Sequence, residues 1–481
     1  MLLGACTVGP SYVPPQNAAP PAYASAQSQA VAPADIARWW TAFGDPKLDS
    51  LVARALAGNL DIQQASARMR QARAQEIATR RSGDPQVNAS AQGSYTRLSE
   101  NSLPAGLASL GGGGSSGASG IGLPGESYPT FQIGFDASWE IDLFGGRRRA
   151  NEAAGARTEA AIWSQRDAQV MLVAEVANAY QQYCALQRRI AIADETIASA
   201  RELLGFVVAR TGNGLVTTLD ERRQQGDIEQ LAAQRDGLAA EARRRVHTLS
   251  VLLGLAPAAL ADELAGPPPA AALIEVPAGL PSELLQRRPD IRAAERRLAA
   301  ATADIGVAQA DLYPKFSLTG ALQLASRSLA TLLQSDSILG NGAGRLSLPL
   351  LGQGAKRATV RVREAQAQEA LLAYQASVLT ALKDVEDALT RLDADQRRVT
   401  RLRAAVTAAA DAADTVGVRY RNGLVAYLDV LEARRTLLAA RDALSQAEAA
   451  AAQDVVALYK ALGGGWDERR VTEDEPNGRG S

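Results

Sequence analysis

The chain has 481 residues, a net charge of −1 and one histidine, so no basic footprint points to a nucleic-acid partner. Aromatic residues are only 5%, and the abundance of Ala, Leu, Arg, Gln and Glu suits long helices. No apolar run is long enough for a membrane-spanning helix, and 2 cysteines exclude a disulfide framework or a Cys-rich metal site.

In chain order, residues 1–35 come first. Leu3-Gly4-Ala5-Cys6 places small residues before a cysteine, as at a bacterial lipoprotein acylation site, and the Pro-, Ala-, Ser- and Gln-rich stretch after it reads as an extended tether. Residues 36–254 form a first repeat: a helix at 46–82, strands at 86–97 and 130–143 separated by a Gly-rich insert at 110–125, and a helical hairpin at 147–254. Residues 255–280 are a linker. Residues 281–463 form a second repeat: a helix at 281–312, strands at 315–325 and 344–351, and a hairpin at 355–463. The polar tail at 464–481 reads as disordered.

The repeat is visible in the residues. Asn213-Gly214-Leu215-Val216 recurs as Asn422-Gly423-Leu424-Val425, and the same offset maps Leu219-Asp220 onto Leu428-Asp429 and Leu253-Gly254 onto Leu462-Gly463. A second offset pairs Asp61-Ile62 with Asp290-Ile291, Arg68 with Arg297 and Pro85 with Pro314. Each Asn-Gly is a turn signal inside a long Pro-free stretch, so each half carries a helical hairpin with the repeated tetrapeptide at its tip. Val399, Leu402, Val406, Ala409, Ala413, Val416 and Tyr420 alternate spacings of three and four, the pattern of coiled-coil packing.

The strands are two-faced. From Phe131 to Leu143 the apolar set is Phe131, Ile133, Phe135, Ala137, Trp139, Ile141 and Leu143, and Asp136, Glu140 and Asp142 lie on the other side. Such a strand needs lipid or a core on one face and water on the other. Four strands do not close a barrel and would leave bare edges. Three copies sharing one barrel supply twelve, with the apolar set toward lipid and the carboxylates toward a water-filled lumen.

The segments "CTVGPSY" at 6–12, "WWTAFGDPKLDSLV" at 39–52, "SWEIDLFGGRRRANEAA" at 138–154, "LPSELLQRRPDIRAAERRLAAATADIGVAQADLYPKFSLTG" at 280–320 and "RYRNGLVAYLDVLEARRTLL" at 419–438 together resemble the TolC family of outer-membrane factors, in the lipoprotein branch that serves tripartite, RND-type efflux pumps. The resemblance implies a mainly α protein with a transmembrane β-barrel: a homotrimer with a twelve-stranded barrel, four strands from each protomer, continued by a long periplasmic α-helical tunnel. It implies a passive, gated duct in the outer membrane of a Gram-negative bacterium, exporting small toxic molecules. Its partners would be a periplasmic adaptor, an inner-membrane transporter and outer-membrane lipid, with no cofactor beyond a covalent lipid on Cys6.

By matching motif positions, Gly214, Leu215 and Val216 with Gly423, Leu424 and Val425 are the expected adaptor-contacting tips. Asn213 and Asn422 stand where many relatives have Val. Asp429 and Glu432 match acidic gate positions, where three copies would form carboxylate rings. The alternative for these two is an ordinary acidic helix start. Tyr420 matches a residue that ties the closed tip together. The Arg expected after the glycine is absent, since Val425 and Ala426 stand there, and Arg421 is the nearby substitute. Three rivals remain: a type I protein-secretion duct, a soluble coiled-coil scaffold, and an enzyme, for which no catalytic motif is present.

Overall fold

In a computed structural model, residues 7–15, 20, 22–24, 36–97, 99, 127–213, 217–270, 274, 276 and 286–467 are described. Cys6, Gly214, Leu215 and Val216 lie outside them. The described residues fall into two compact units: one drawn from within 1–13, 73–156 and 299–369, the other from within 14–72, 157–298 and 370–481.

The elements follow one order twice. Helices α1 (Pro46–Gly58) and α2 (Leu60–Arg81) lead to strands β1 (Gln86–Arg97) and β2 (Ser127–Ile141), then to helices α3 (Gly146–Gly212) and α4 (Thr218–Leu252). Helix α5 (Pro289–Ala310) leads to β3 (Lys315–Ser326) and β4 (Ile338–Ser347), then to α6 (Gln353–Arg421) and α7 (Tyr427–Ala461). The long helices α3 and α6 have 67 and 69 residues, about 100 Å each, and their returning partners have 35 each.

Several boundaries differ from the sequence reading. The first helix breaks at Asn59, whose Oδ1 accepts the backbone N–H groups of Asp61 and Ile62 and whose Nδ2 donates to the Leu252 carbonyl. Helix α5 runs from Pro289, a residue suited to the first helical position because its missing N–H would have no partner there; residues 286 and 287 just before it are helical, and 281–285 lie outside the described residues. Strand β2 stops at Ile141, because Asp142 Oδ2 accepts the N–H groups of Arg147 and Arg148 at the start of α3. Asp142 is therefore a helix-capping residue and not part of the strand's polar face. Strand β4 lies at 338–347 and not at 344–351. Gly340, Gly342 and Gly344 carry no apolar signal, yet their backbones pair with β3, whereas Leu348 and Leu350 flank Pro349, which has no N–H to offer. Nor is the start of the tail loose: the Gly465 N–H donates to the Ile36 carbonyl, and Trp466 packs edge-on against Trp163.

In the second unit the core gathers around the start of α1. Asp45 caps that helix through the Lys47 N–H and accepts the Tyr180 hydroxyl at 2.6 Å. Leu48, Leu51 and Val52 are fully buried with Val173, Val176, Leu249, Ile291 and Leu458, and Trp39 stacks on Tyr459 at 5.1 Å. Cys184 is buried here as a small apolar residue, and burial pushes its thiol up to about 11. His247 is exposed.

In the first unit the four strands form one antiparallel sheet in the order β1-β2-β3-β4. The segment that precedes the helices is held at the foot of β2. The Val8 N–H donates to the Phe144 carbonyl, and buried Arg149 donates to the carbonyls of Val8 and Gly9 and pairs with Glu152 at 2.8 Å. Gly9 lies so close to Gly306 that a Cβ would fall 2.5 Å from the Gly306 Cα.

Candidate functional site

The sheet register sorts side chains onto two faces, because directly paired residues share a face. Ala89, Phe135, Leu322 and Gly340 form one cross-strand row, and Ala91, Ile133, Leu324 and Ile338 the next. Val87, Ala137, Gly320 and Gly342 continue that face, as do Trp139 with Leu318, and Ile141 with Phe316 and Leu346. The opposite face carries Asn88, Asp136 and Asn341, then Ser138 and Thr319, then Glu140, Ser317 and Arg345. Asn88 Nδ2 donates to Asp136 at 3.2 Å.

The apolar face is largely uncovered. Phe135 is 59% exposed, Leu322 61% and Trp139 41%; Ile133 is also exposed, whereas Phe131 and Ile141 are half-buried. The edge strands are open to solvent, β4 at every residue and β1 at every residue but Ser94. An exposed apolar face of this extent marks an interface with lipid or protein.

The second cluster lies in the other unit, at the end of the second hairpin. Helix α6 ends at a glycine turn. Gly423 has φ +73°, its N–H donates to the Tyr420 carbonyl, and the Leu424 N–H donates to the Arg419 carbonyl, both at 2.9 Å. Asn422 Nδ2 donates to the Val418 carbonyl at 3.0 Å, and Asn213 Nδ2 makes the equivalent bond to Ala209 at 2.8 Å. Both asparagines thus cap the last turn of a long helix, a role that the turn signal alone does not reveal. Leu424 is 73% exposed, Gly423 is exposed and Val425 is half-buried.

Asp429 and Glu432 are both exposed at the start of α7. Asp429 Oδ2 accepts the Ala426 N–H at 2.9 Å, so it closes the helix start as well as presenting charge. Tyr420 is buried with Leu203, Val207, Tyr427, Val430 and Leu431. Its ring meets Tyr427 edge-on at 6.3 Å, and its hydroxyl is buried without a partner among the described residues. The arginine that covers Tyr420 is Arg210 of the first hairpin, with its guanidinium 5.1 Å from the ring, and not Arg421, which is exposed. Arg421 is adjacent to Tyr420 in the chain, but neighbours along a helix point in different directions, and the contact joins two distant parts of the sequence.

Around this cluster α7 is tied to the first hairpin. Arg434 donates to the Ser199 carbonyl at 2.8 Å, Arg435 pairs with Asp227 at 2.8 Å, and Arg441 pairs with Glu195 at 3.0 Å. Burial pushes the Tyr427 hydroxyl up to about 12, with nearby Asp227 acting in the same direction.

A family model for outer membrane efflux proteins matches residues 51–255 and 280–464, one stretch in each repeat. The chain belongs to the outer membrane efflux protein family. It is 34% identical to the pyoverdine export outer membrane protein OpmQ of Pseudomonas aeruginosa, over 98% of this chain and 96% of that one. It is 30% identical to the cation efflux system protein CusC of Escherichia coli K12, over 97% of both chains. Its fold matches the solved outer-membrane channel OprN with a TM-score of 0.86 at 34% identity, covering 96% of this chain and 100% of that one. The protein is therefore an outer-membrane protein of Gram-negative bacteria and the channel component of an efflux pump. These relatives fit that role better than a secretion duct or a coiled-coil scaffold.

Proposed function

We propose that three copies join their sheets edge to edge into one twelve-stranded barrel, apolar face to lipid and polar face to a water-filled lumen. The register carries this reading: one face is apolar and exposed from β1 to β4, and both edges are open. In an antiparallel meander of four strands, β1 and β4 run in opposite directions. The β4 edge of one copy therefore meets the β1 edge of the next in the same antiparallel pattern, and a head-to-tail ring leaves no edge. Strands of 12, 15, 12 and 10 residues are long enough to cross a bilayer at a tilt.

The paired hairpins continue the path as a helical tunnel, and the duct is passive and does no chemistry. Tyr420 steadies the closed end, and Asp429 and Glu432 form the cation-attracting gate. Gly423, Leu424 and Val425, with Gly214, Leu215 and Val216, meet a periplasmic adaptor, which links the duct to an inner-membrane transporter that supplies the energy. The exposure of Leu424 on its turn supports a docking role. Cys6 carries a covalent lipid; the hold on Val8 and Gly9 at the foot of the sheet supports an anchor there. The cargo is a class of small toxic molecules selected by the transporter. Consistent with selection elsewhere, OpmQ is named for pyoverdine and CusC for cations.

Chemical cross-linking in native outer membranes tests this reading. A trimer that co-purifies with an adaptor supports it. A soluble monomer recovered without detergent would overturn it.

A further inference from the structure

We infer that Gln224 is the latch that holds the first turn of α7 in position, an assignment that rests on reading Asp429 and Glu432 as the gate. Gln224 lies in the second turn of α4 and is 1% exposed. A buried amide needs partners at both ends. Its Nε2 donates to the Ala200 carbonyl of α3 at 2.8 Å, and its Oε1 accepts the Tyr427 hydroxyl. Tyr427 is the first residue of α7 and precedes Asp429 on the same turn. One side chain thus ties together three helices, next to the acidic pair.

The ion pairs of this region differ in kind. The Arg435–Asp227 and Arg441–Glu195 pairs include side chains more than half exposed, so water replaces them readily when α7 moves. The Gln224–Tyr427 bond is dry. Moving α7 away strands an amide oxygen and a hydroxyl unless water enters, so this bond weighs more heavily in holding one position. The latch also occurs once. At the repeat offset, Ala433 stands where Gln224 would be and Thr218 where Tyr427 would be, and neither can form the pair. Of the two hairpins, the second, which carries Asp429 and Glu432, is therefore the one whose returning helix is held by such a pair.

The test measures single-channel conductance, cation selectivity and thermal unfolding of the full-length protein in planar bilayers and detergent. The variants are Tyr427→Phe, Gln224→Met, the two combined, and Asp429→Ala with Glu432→Ala as the gate control. Tyr427→Phe should raise the open-to-closed ratio about five-fold, the effect of one net hydrogen bond, and Gln224→Met by at least as much, because it also removes the bond to the Ala200 carbonyl. The combined variant should add little to Gln224→Met, because that substitution has already removed the bond that Tyr427→Phe deletes. It also leaves no unpaired group from the bond itself, so it keeps the test valid if a single variant folds poorly. If the gate control changes conductance or selectivity and the latch variants change only the melting temperature, Gln224 is merely structural and the inference falls while the gate stands. If the two single variants add fully, the direct bond is not the latch. If the gate control is silent, the gate reading is withdrawn and the latch with it.

Discussion

Phe135 stands directly opposite Leu322 across β2 and β3, and both are exposed. Two large apolar residues paired in the middle of a sheet would be a liability in water. On a barrel that faces lipid, such a pair is the ordinary outward surface.

Phe135→Arg should therefore block insertion or destabilise the inserted form by about 2–4 kcal/mol. Ser90→Arg, on the polar face, should cost far less. Urea titration of the membrane-inserted protein, read by gel mobility, distinguishes the two. Equal tolerance at both positions would contradict the facing.

Asp454 on α7 makes stability depend on pH. Burial, and then the neighbouring Asp395 carboxylate, push it up to about 6 from 3.8, while Arg391 opposes the shift. The folded chain thus binds this proton more tightly than the unfolded chain. The associated stability is present at low pH and is lost as pH rises through about 6. Asp454→Asn should raise the melting temperature above pH 7, with a gain of at most ~3 kcal/mol, and flatten the pH dependence. A variant that melts lower at neutral pH would show that the carboxylate is favourably held.

Replacing Asp429 and Glu432 together by Ala should raise conductance or weaken cation selectivity in bilayers. Asp429→Ala alone should also cost about 1 kcal/mol of local stability, because the Ala426 N–H loses its acceptor. Unchanged conductance and selectivity in the double variant would leave Asp429 as a helix cap only.

At the tips, Leu424→Asp and Leu215→Asp together should weaken adaptor binding at least about ten-fold. Stability should change by no more than about 0.5 kcal/mol at Leu424, since that side chain is exposed. Pull-down of the adaptor and thermal melting measure the two effects. Wild-type binding would remove the docking role.

Much of the architecture is legible in the residues where a pattern is local. The stripe of Val399, Leu402, Val406, Ala409, Ala413, Val416 and Tyr420 is buried or half-buried throughout, as the three-and-four spacing requires. Strand β1 has the expected bounds, and β3 runs one residue further. The alternation fails at β4 because three glycines there are held only by pairing with β3. Asp142 reads as one more polar strand residue because capping begins where alternation has not yet visibly ended. Around Tyr420 and Asp429, the residues Arg210, Gln224 and Tyr427 carry no local signal. Their partners lie on other helices, so only the folded chain brings them together.

The most direct measurement is a cysteine-pair scan between sheet edges in outer membranes. One cysteine replaces Gly342 on β4, and single cysteines are stepped along β1 from Asn88 to Ser94. Disulfides between copies are expected at one register, with a covalent ladder that stops at three. Cross-links confined to one chain, or a ladder that stops at two or runs on without limit, would contradict a shared barrel.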